Sequence, residues 1–261
     1  MLFQPARFIL AALLFQPFLV QAEECTRVVA TAHPDYPPYQ WFDGQQMRGA
    51  SIEINRIIFA ELGIPFSVIY TGPWKRVLHA AQQGQVDLVM ALKKTPARQE
   101  FLNFTSAPIL PNPFAVFVER SQVFDFNQWD DLKGKMGGKN AGDRYGAAFD
   151  QFSSEQLALE EADTPQTNYR KLIAGRIDYF IHSRYSGATY LHTHPEGDRV
   201  IALEKNINEG FIHSGFSRLS PCYDLLPYLN RRYREMMSDG SALQLLESNL
   251  VSWQRSTLNQ D

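Results

Sequence analysis

Strand-length apolar runs alternate with longer amphipathic segments along the first part of the chain. The strand-like runs are TRVVAT (26–31), PFSVIY (65–70) and VDLVMAL (86–92). Between them, residues 52–62 and 74–83 carry apolar side chains at helical spacing. Gly63 and Gly84 stand where these helices would end, and Pro73 stands where the second would begin. Strands joined through helices favour a mainly parallel sheet with helices on both faces, so we predict an α/β fold.

The alternation breaks at PILPNPF (108–114) and then resumes in a second set of elements. The predicted strands of this set are 114–119, 157–162, 177–182, 199–204 and 211–216. One predicted helix begins within Gly142–Tyr145, and the others cover 167–175, 184–192 and 225–240. A break between two sets of alternating elements predicts two α/β lobes, and a chain of 261 residues is long enough to build both.

The N-terminus has the pattern of a secretory signal peptide, residues 1–22. A single Arg7 precedes an apolar core, and the segment closes on VQA, which predicts cleavage after Ala22. The apolar run is shorter than the roughly 20 residues of a membrane-spanning helix. We therefore expect a soluble, exported, periplasmic protein. Lipidation at Cys25 is the alternative, although Glu23 and Glu24 stand where a lipidation site needs small residues.

The charge of the chain excludes some partners. The formal net charge is −3, and removal of Arg7 with the signal peptide changes it to −4. An acidic chain without a basic cluster is not expected to bind nucleic acid. An apolar fraction of 44% is that of a globular protein.

Five segments, in the same order, resemble the bilobed periplasmic solute-binding proteins that serve ABC transporters for polar amino acids, which have the type 2 fold. The segments are HPDYPPYQWFDG (33–44), RGASIEINRIIFAELG (48–63), PWKRVLHAAQQGQVDLVMALKKTPARQEFLNFTSAP (73–108), LKGKMGGKNAG (132–142) and GRIDYFIHS (175–183). The succession of Trp74, LHAAQQGQVDLV, TPAR and FLNFTSAP is more specific than any single motif among them.

The resemblance implies two α/β lobes joined by two crossover strands, with a ligand cleft between them. Lobe I would comprise residues 23–115 and 209–261, and lobe II residues 116–208. Cys25 and Cys222 would then both lie in lobe I of a protein exported to an oxidising compartment, so we expect one disulfide between them. Two buried free thiols are the alternative.

The resemblance also implies ligand contacts in the first lobe. In the family, an arginine of the TPxR stretch binds the carboxylate of the ligand, and the matching residue is Arg98. A guanidinium can bind a carboxylate through two parallel hydrogen bonds and stays charged at any relevant pH. The aromatic positions of the family's cleft are matched by Tyr36 and Trp74, whose rings supply apolar contact area and attract cationic groups.

The matching region of the second lobe is Gly142–Tyr145, at the predicted start of a helix. Free N–H groups at a helix start attract an anion, and Gly142 would allow a close approach. We expect Asp143 to cap its own helix and Arg144 to contact the ligand or the opposite lobe.

Several departures from the family pattern remove negative charge or add positive charge. Ala91 and Lys93 replace small hydroxyl or glycine residues before TPxR. Positions that bind the ligand's ammonium through acidic side chains in the family are matched by Ser183 and His33. We predict that Ser183 and His33 still line the cleft.

The added cations predict an anionic ligand. We expect Lys93 to point into the cleft beside Arg98, with Arg76 and Arg184 as further candidates. Such a cleft would disfavour an ammonium and suit one or more carboxylates, because unpaired buried cations are costly. The alternative is that Lys93 and its neighbour Lys94 both extend into solvent.

The sequence therefore predicts a binding protein that captures a small carboxylate-bearing solute by hinge closure and delivers it to a membrane transporter or sensor. We expect a monomer that needs no cofactor and has no enzymatic activity. One alternative is a dehydratase of carboxylated rings, with His33, Asp35 and His182 as acid and base candidates. Another is a partner-binding protein that has lost its small ligand.

Two histidines, His192 and His194, lie in the stretch LHTHPEGD. No third ligand stands at a fixed spacing from them, so we predict no metal site.

Overall fold

The computed structural model describes residues 24–258, so the predicted signal peptide lies outside the described residues. In chain order the strands are β1 (Val28–Thr31), β2 (Asp35–Tyr36), β3 (Gln40–Phe42), β4 (Met47–Arg48), β5 (Phe66–Val68), β6 (Leu88–Leu92), β7 (Leu102–Phe104), β8 (Leu110–Pro111), β9 (Phe114–Glu119), β10 (Met136–Asn140), β11 (Ala158–Ala162), β12 (Tyr179–Ser183), β13 (Val200–Asn208) and β14 (Phe211–Ser217). The helices are α1 (Ala50–Glu61), α2 (Trp74–Gln82), α3 (Pro96–Gln99), α4 (Ala147–Gln156), α5 (Pro165–Ile173), α6 (Arg184–Thr193), α7 (Leu226–Ser238) and α8 (Ser241–Leu258). Short 3-10 helices cover Arg120–Gln122, Trp129–Leu132, Gly197–Arg199 and Tyr223–Leu225.

The strands form two larger sheets, each covered by helices. The first sheet has the order β5-β1-β6-β14-β7, with β8 paired to β14, and the second has the order β11-β10-β12-β9-β13. We call each sheet with its helices a lobe. A small third sheet, β2-β3-β4, belongs to the first lobe. This arrangement confirms the predicted two-lobed α/β fold.

Each sheet mixes parallel and antiparallel pairs, so the expectation of mainly parallel sheets holds only for part of each. In the first lobe β1 pairs in parallel with β5 and β6, whereas β14 runs antiparallel to β6 and β7. In the second lobe β10 pairs in parallel with β11 and β12, whereas β9 runs antiparallel to β12 and β13. The antiparallel strands β9 and β14 follow directly after the chain has crossed from one lobe to the other.

Each sheet is buried on both faces because successive side chains of a strand point to opposite sides. In β6, Leu88 and Met90 pack into the core that includes α1, α7 and α8, while Val89 and Leu92 pack against α2. The strands of the second sheet alternate in the same way between two cores. Two-sided burial explains why VDLVMAL and FAVFVE are apolar without interruption.

The two lobes are joined where β8 leads into β9 and where β13 leads into β14. The predicted lobe boundaries near 115 and 209 stay a prediction, since strands alone do not define where a lobe ends. The strands of the first sheet come from residues 28–111 and 211–217, and those of the second from 114–208. Asn112 lies in one connection and Gly210 in the other, and the Asn112 N–H donates to the Gly210 carbonyl (2.5 Å).

A disulfide joins Cys25 and Cys222, which are 197 residues apart in the sequence. It connects the segment before β1 to the turn before α7, and both belong to the first lobe. The predicted bridge is therefore confirmed.

The predicted helix at Gly142–Tyr145 is wrong by a few residues. Helix α4 begins at Ala147, after Gly146 as its N-cap. Gly142 (φ 78°) and Gly146 (φ 128°) both have left-handed backbone conformations that interrupt a right-handed helix. The prediction that Asp143 caps the helix is consequently also wrong.

Candidate functional site

A cavity of about 520 Å³ lies between the two lobes. It is lined by segments that follow the carboxyl ends of strands in both sheets, where α/β folds commonly bind ligands. These segments fall within 33–36, 91–98, 140–144, 163–166 and 182–183, and Trp74, Phe114 and Ile212 complete the wall. The size is that of a small-molecule site.

Arg98 lies on the first-lobe wall of this cavity, on the short helix α3. The side chain of Thr95 caps α3 by accepting a hydrogen bond from the Arg98 N–H. The Arg98 guanidinium donates through Nη1 to the Lys93 carbonyl (2.7 Å), and its carbon Cζ lies 5.2 Å from the centre of the Trp74 ring. The bond to Lys93 and the ring contact orient the guanidinium and leave its other N–H groups for a ligand.

Aromatic rings extend this wall beside Arg98. The His33 ring lies 5.1 Å from the Trp74 ring and 6.0 Å from the Tyr36 ring, measured between centroids, and all three residues line the cavity. Burial lowers the pKa of His33, and the nearby Arg98 charge acts in the same direction. The Asp35 N–H donates to His33 Nδ1 (3.0 Å), which leaves Nε2 as the protonated nitrogen of a neutral ring.

Lys93 points inward and Lys94 points outward. The Lys93 ammonium lies 4.8 Å from the centre of the Phe114 ring, in the cavity wall next to the connections between the lobes. Lys94 is exposed and does not line the cavity. Burial lowers the pKa of Lys93 to about 8, while Asp143 and Asp150 oppose that shift. At neutral pH, Lys93 therefore carries a charge that an anionic ligand would stabilise.

The second lobe contributes a carboxyl group and a neutral imidazole. Asn140 donates through Nδ2 to Asp143 (3.1 Å) and lies 3.3 Å from His182 Nδ1, while its oxygen accepts from Asn168 (3.0 Å). Burial raises the pKa of Asp143 to about 6 and lowers that of His182 to about 4. At pH 7 the Asp143 carboxylate is thus ionised and the imidazole is uncharged.

Asn112 connects the two walls at the base of the cavity. Its Nδ2 donates to the Tyr36 hydroxyl (2.7 Å), and its Oδ1 accepts from the Ser183 hydroxyl (2.7 Å) and the Tyr39 hydroxyl (3.2 Å). Tyr36 and Ser183 line the cavity from opposite lobes. Asn112 therefore ties two wall residues to the connection between the lobes.

Seven of the eight predicted ligand-contact residues line the cavity, and one does not. Those that line it are His33, Tyr36, Trp74, Lys93, Arg98, Arg144 and Ser183. Arg76 is exposed on α2, where its side chain lies over Gly72. Arg184, the further candidate, donates to Asn206 (2.7 Å) and to the carbonyls of Leu203 (2.6 Å) and Glu204 (2.9 Å) in β13. It does not line the cavity either, so the expected cluster of four cations is reduced to Lys93 and Arg98 in the interior.

Several residues of the second-lobe wall had no predicted ligand contact, and three of them carry the polar groups described above. These three are Asn140, Asp143 and His182. Each lies at or just beyond the carboxyl end of β10 or β12, and that position was the available sequence signal. It was missed for Asn140 and Asp143 because β10 was not recognised as a strand.

The charges that line the cavity balance in number. Arg144, Asp35 and Asp163 are exposed at its rim, whereas Lys93, Arg98 and Asp143 are partly or mostly shielded from solvent. The interior therefore presents two cations and one carboxylate. This charge pattern complements a ligand with two carboxylates and one ammonium.

Within residues 24–258, no group of three or more His, Cys, Asp or Glu side chains is arranged to hold a metal ion. In the same part of the chain, no helix combines the length and the apolar character needed to cross a bilayer.

Solved structures show where this fold has been seen before. An amino acid ABC transporter substrate-binding protein, AbpA from Streptococcus pneumoniae, bound to L-arginine, is 19% identical with a TM-score of 0.64, over 87% of this chain and 96% of that one. The GluR0 ligand-binding core in complex with L-glutamate is 16% identical with a TM-score of 0.67, over 86% and 98%. The ancestral amino acid-binding protein AncCDT-1, a precursor of cyclohexadienyl dehydratase, is 19% identical with a TM-score of 0.62, over 86% and 95%. At these identities the likeness concerns the fold.

No match is found among curated proteins. The model of one protein family, in contrast, matches residues 28–251, which is nearly the whole described chain. That match extends over both sheets and every segment that lines the cavity. The chain belongs to the bacterial extracellular solute-binding proteins, family 3.

Proposed function

We propose that the protein binds a small dicarboxylate that carries one ammonium group, such as L-glutamate or L-aspartate, in the cavity between its lobes. One observation carries the proposal: Arg98 and Lys93 on one side share a cavity with Asp143 from the other lobe. Arg98 would bind one carboxylate through its fork of N–H groups, Lys93 the other, and Asp143 the ammonium. Trp74 and Tyr36 would cover the apolar part of the ligand.

Binding of such a ligand favours closure of the lobes. Lys93 and Arg98 belong to the first lobe and Asp143 to the second, so a ligand that pairs with both sides is bound more tightly when the lobes approach. In the periplasm, the closed form would be recognised by a membrane-bound transporter or sensor. We propose that this capture step involves a monomer and no cofactor.

A binding screen tests the proposal directly. The mature protein is unfolded and refolded to remove retained ligand, and calorimetry then measures binding of amino acids, dicarboxylates and other organic acids. We expect micromolar or tighter binding of at least one acidic amino acid. Binding of neutral or basic amino acids alone would contradict the assigned ligand class. If no compound in the panel binds, a partner-binding protein is favoured.

Asp143→Asn is expected to shift the ligand preference from L-glutamate towards glutarate. The amide has no charge to pair with an ammonium, so L-glutamate should bind about tenfold more weakly, whereas glutarate, which has no ammonium, should bind more tightly than it does to the wild type. Calorimetric titration with both compounds checks the pair of shifts. Asp125→Asn is the matched control, because Asp125 is an exposed carboxylate of the same lobe that does not line the cavity.

Ligand affinity should fall on both the acid and the alkaline side of neutral pH. Asp143, with a pKa of about 6, loses its charge as the pH falls, so L-glutamate should bind about tenfold more weakly at pH 5 than at pH 7. Lys93, with a pKa of about 8, loses its charge as the pH rises, so glutarate should bind about tenfold more weakly at pH 9 than at pH 7. Titration of the intrinsic tryptophan fluorescence, to which Trp74 contributes from the cavity wall, measures both across this range. The loss of L-glutamate affinity at pH 5 should disappear in Asp143→Asn, and the loss of glutarate affinity at pH 9 should disappear in Lys93→Met. If either loss persists in its variant, the assignment of that group is contradicted.

A dehydratase-like activity is the second candidate, and Asp143 is the observation that favours it. A carboxylate with a pKa near 6 can accept a proton as a general base at neutral pH, and Arg98 could hold the carboxylate of a ring substrate. The neighbour described as a precursor of cyclohexadienyl dehydratase shares the fold. Incubation with prephenate and arogenate, followed by chromatography of the products, distinguishes the two. We expect no turnover; product formation that Asp143→Asn abolishes would replace the binding proposal.

A further inference from the structure

Ala91 has an unusual backbone conformation in the wall of the cavity. Its φ is 46°, and among residues 24–258 it is the only residue other than glycine with a positive φ. The left-handed region is unfavourable for a residue with a β-carbon, so the surrounding structure must hold Ala91 there. Such residues cluster at functional sites, and Ala91 lines the cavity.

A bulge in β6 accompanies this conformation. The pairing with β14 joins Val89 to Gly215 and Leu92 to His213, so Met90 and Ala91 together stand opposite a single residue, Ser214. A bulge of this kind bends the strand and redirects the residues that follow it. The next residues are those that enter the cavity.

Gln40 supplies the contact that holds Ala91. Its Nε2 donates to the Ala91 carbonyl (3.1 Å), and its Oε1 accepts from the Ser51 hydroxyl in the first turn of α1 (2.6 Å). Gln40 and Ser51 are both fully buried. Because a buried amide without partners is costly, the Gln40 side chain and the Ala91 carbonyl constrain each other.

The backbone at Gln40 is itself fixed by close packing. A side chain at Gly49, the residue before α1, would collide with the Tyr39 carbonyl and the Gln40 backbone. The first N–H groups of α1 donate to carbonyls of the same strand region: Ser51 N–H binds the Tyr39 carbonyl (3.0 Å). Gln40 is therefore anchored to α1 through both its backbone and its side chain.

The segment after Ala91 carries both inward-facing cations of the first lobe. Leu92, Lys93 and Thr95 follow the bulge, and the Lys93 carbonyl accepts the hydrogen bond that orients the Arg98 guanidinium (2.7 Å). Rotation of the Ala91 peptide out of the left-handed region would shift this segment, and with it the Lys93 ammonium and the support of Arg98. Neither group would then keep its place relative to Asp143 in the opposite lobe.

We propose that Gln40, which does not touch the cavity, is a positioning residue for ligand binding: its amide holds Ala91 in the left-handed conformation and so sets the places of Lys93 and Arg98. The proposal rests on the function proposed above, in which these two cations bind the carboxylates of the ligand.

Gln40→Met and Gln40→Met/Ala91→Gly test this role together. Methionine keeps the volume of glutamine but cannot donate to the Ala91 carbonyl, so L-glutamate should bind about tenfold more weakly as Ala91 leaves the left-handed region. Glycine adopts that region without strain, so the second substitution should restore affinity to within about threefold of the wild type. Ala91→Gly alone is measured as the reference with which the double variant is compared.

Hydrogen exchange of the peptide that contains residues 91–98 provides a readout without ligand. We expect faster exchange in Gln40→Met and a return towards the wild-type rate in the double variant. Leu229→Ala serves as the control for lost stability, because Leu229 on α7 is fully buried in the core of the same lobe and does not line the cavity. It should lower the melting temperature without changing the affinity for L-glutamate.

The outcomes separate the two proposals. Unchanged affinity and exchange in Gln40→Met, or failure of Ala91→Gly to restore either one, overturns the positioning role. If the wild-type protein does not bind L-glutamate, the proposed ligand class fails, while the exchange rates still decide whether Gln40 holds the segment. Should Gln40→Met not fold, Ser51→Ala replaces it; this change frees the Gln40 amide at one end and should weaken binding by about threefold.

Discussion

Arg98→Gln is expected to weaken L-glutamate binding several hundredfold. The substitution removes the charged fork that would bind a carboxylate, and the carboxylate would then be buried without a charged partner. Loss of one partner from a shielded, hydrogen-bonded charge pair costs about 3–4 kcal/mol, which corresponds to that factor. Isothermal titration calorimetry of the two proteins at pH 7 gives the comparison.

Lys94→Gln is the matched control for this experiment, because Lys94 is a neighbouring cation that lies outside the cavity. It should change affinity by less than about twofold if the effect of Arg98 is a direct contact, since exposed charges act weakly across solvent. Arg98→Lys should recover only part of the lost affinity, because an ammonium cannot form two parallel hydrogen bonds with a carboxylate. Equal losses in Arg98→Gln and Lys94→Gln would indicate general electrostatic attraction and not a binding site at Arg98.

Removal of the disulfide should have the largest effect on stability. Cys25 and Cys222 close a loop over a separation of 197 residues. The chain-entropy relation gives about 5 kcal/mol for a loop of this length, and measured values often fall below the calculated one. We expect the double variant Cys25→Ser/Cys222→Ser to lose about 3–5 kcal/mol and its melting temperature to fall by roughly 10–15 °C.

Differential scanning calorimetry with and without a reductant measures this change in both proteins. The reductant should lower the melting temperature of the wild type and leave that of the double variant unchanged. Neither cysteine lines the cavity, so L-glutamate affinity at 20 °C should stay within about twofold of the wild type. A melting temperature within 3 °C of the wild type would show that packing around Cys222, which is fully buried, already fixes the N-terminal segment.

Much of the fold could be predicted because its signals are local. The helices that became α1 and α2 were located within about two residues, since apolar residues recur at helical spacing and glycine ends each segment. The strand at 114–119 was predicted at its observed bounds because it is buried on both faces and reads as an unbroken apolar run.

The errors arose where local signals are weak. Strand β10 contains Gly137 and Gly138, so it has little of the apolar character that marks a strand. A β-carbon at Gly137 would collide with the Tyr179 ring, and one at Gly138 would crowd the Ile177 terminal methyl, so close packing between elements favours glycine at both positions. The start of α4 was placed too early because the glycines on either side of the segment have left-handed conformations that the sequence does not reveal.

The sequence by itself determined the two α/β lobes, the disulfide that their layout implies, and the arginine and aromatic residues at one side of the cleft. The lobes follow from periodicity, whereas the disulfide and the cleft residues are implied by the resemblance of contiguous motifs to a known family. Only the tertiary structure decided which cations face inward, and it placed Asp143 and Lys93 in one cavity although they are distant in sequence. It also assigned to Ala91 a conformation that no single-residue preference would predict. The physical reason is that side-chain direction and backbone strain depend on contacts between elements far apart in the chain, such as the bond from Gln40 to Ala91.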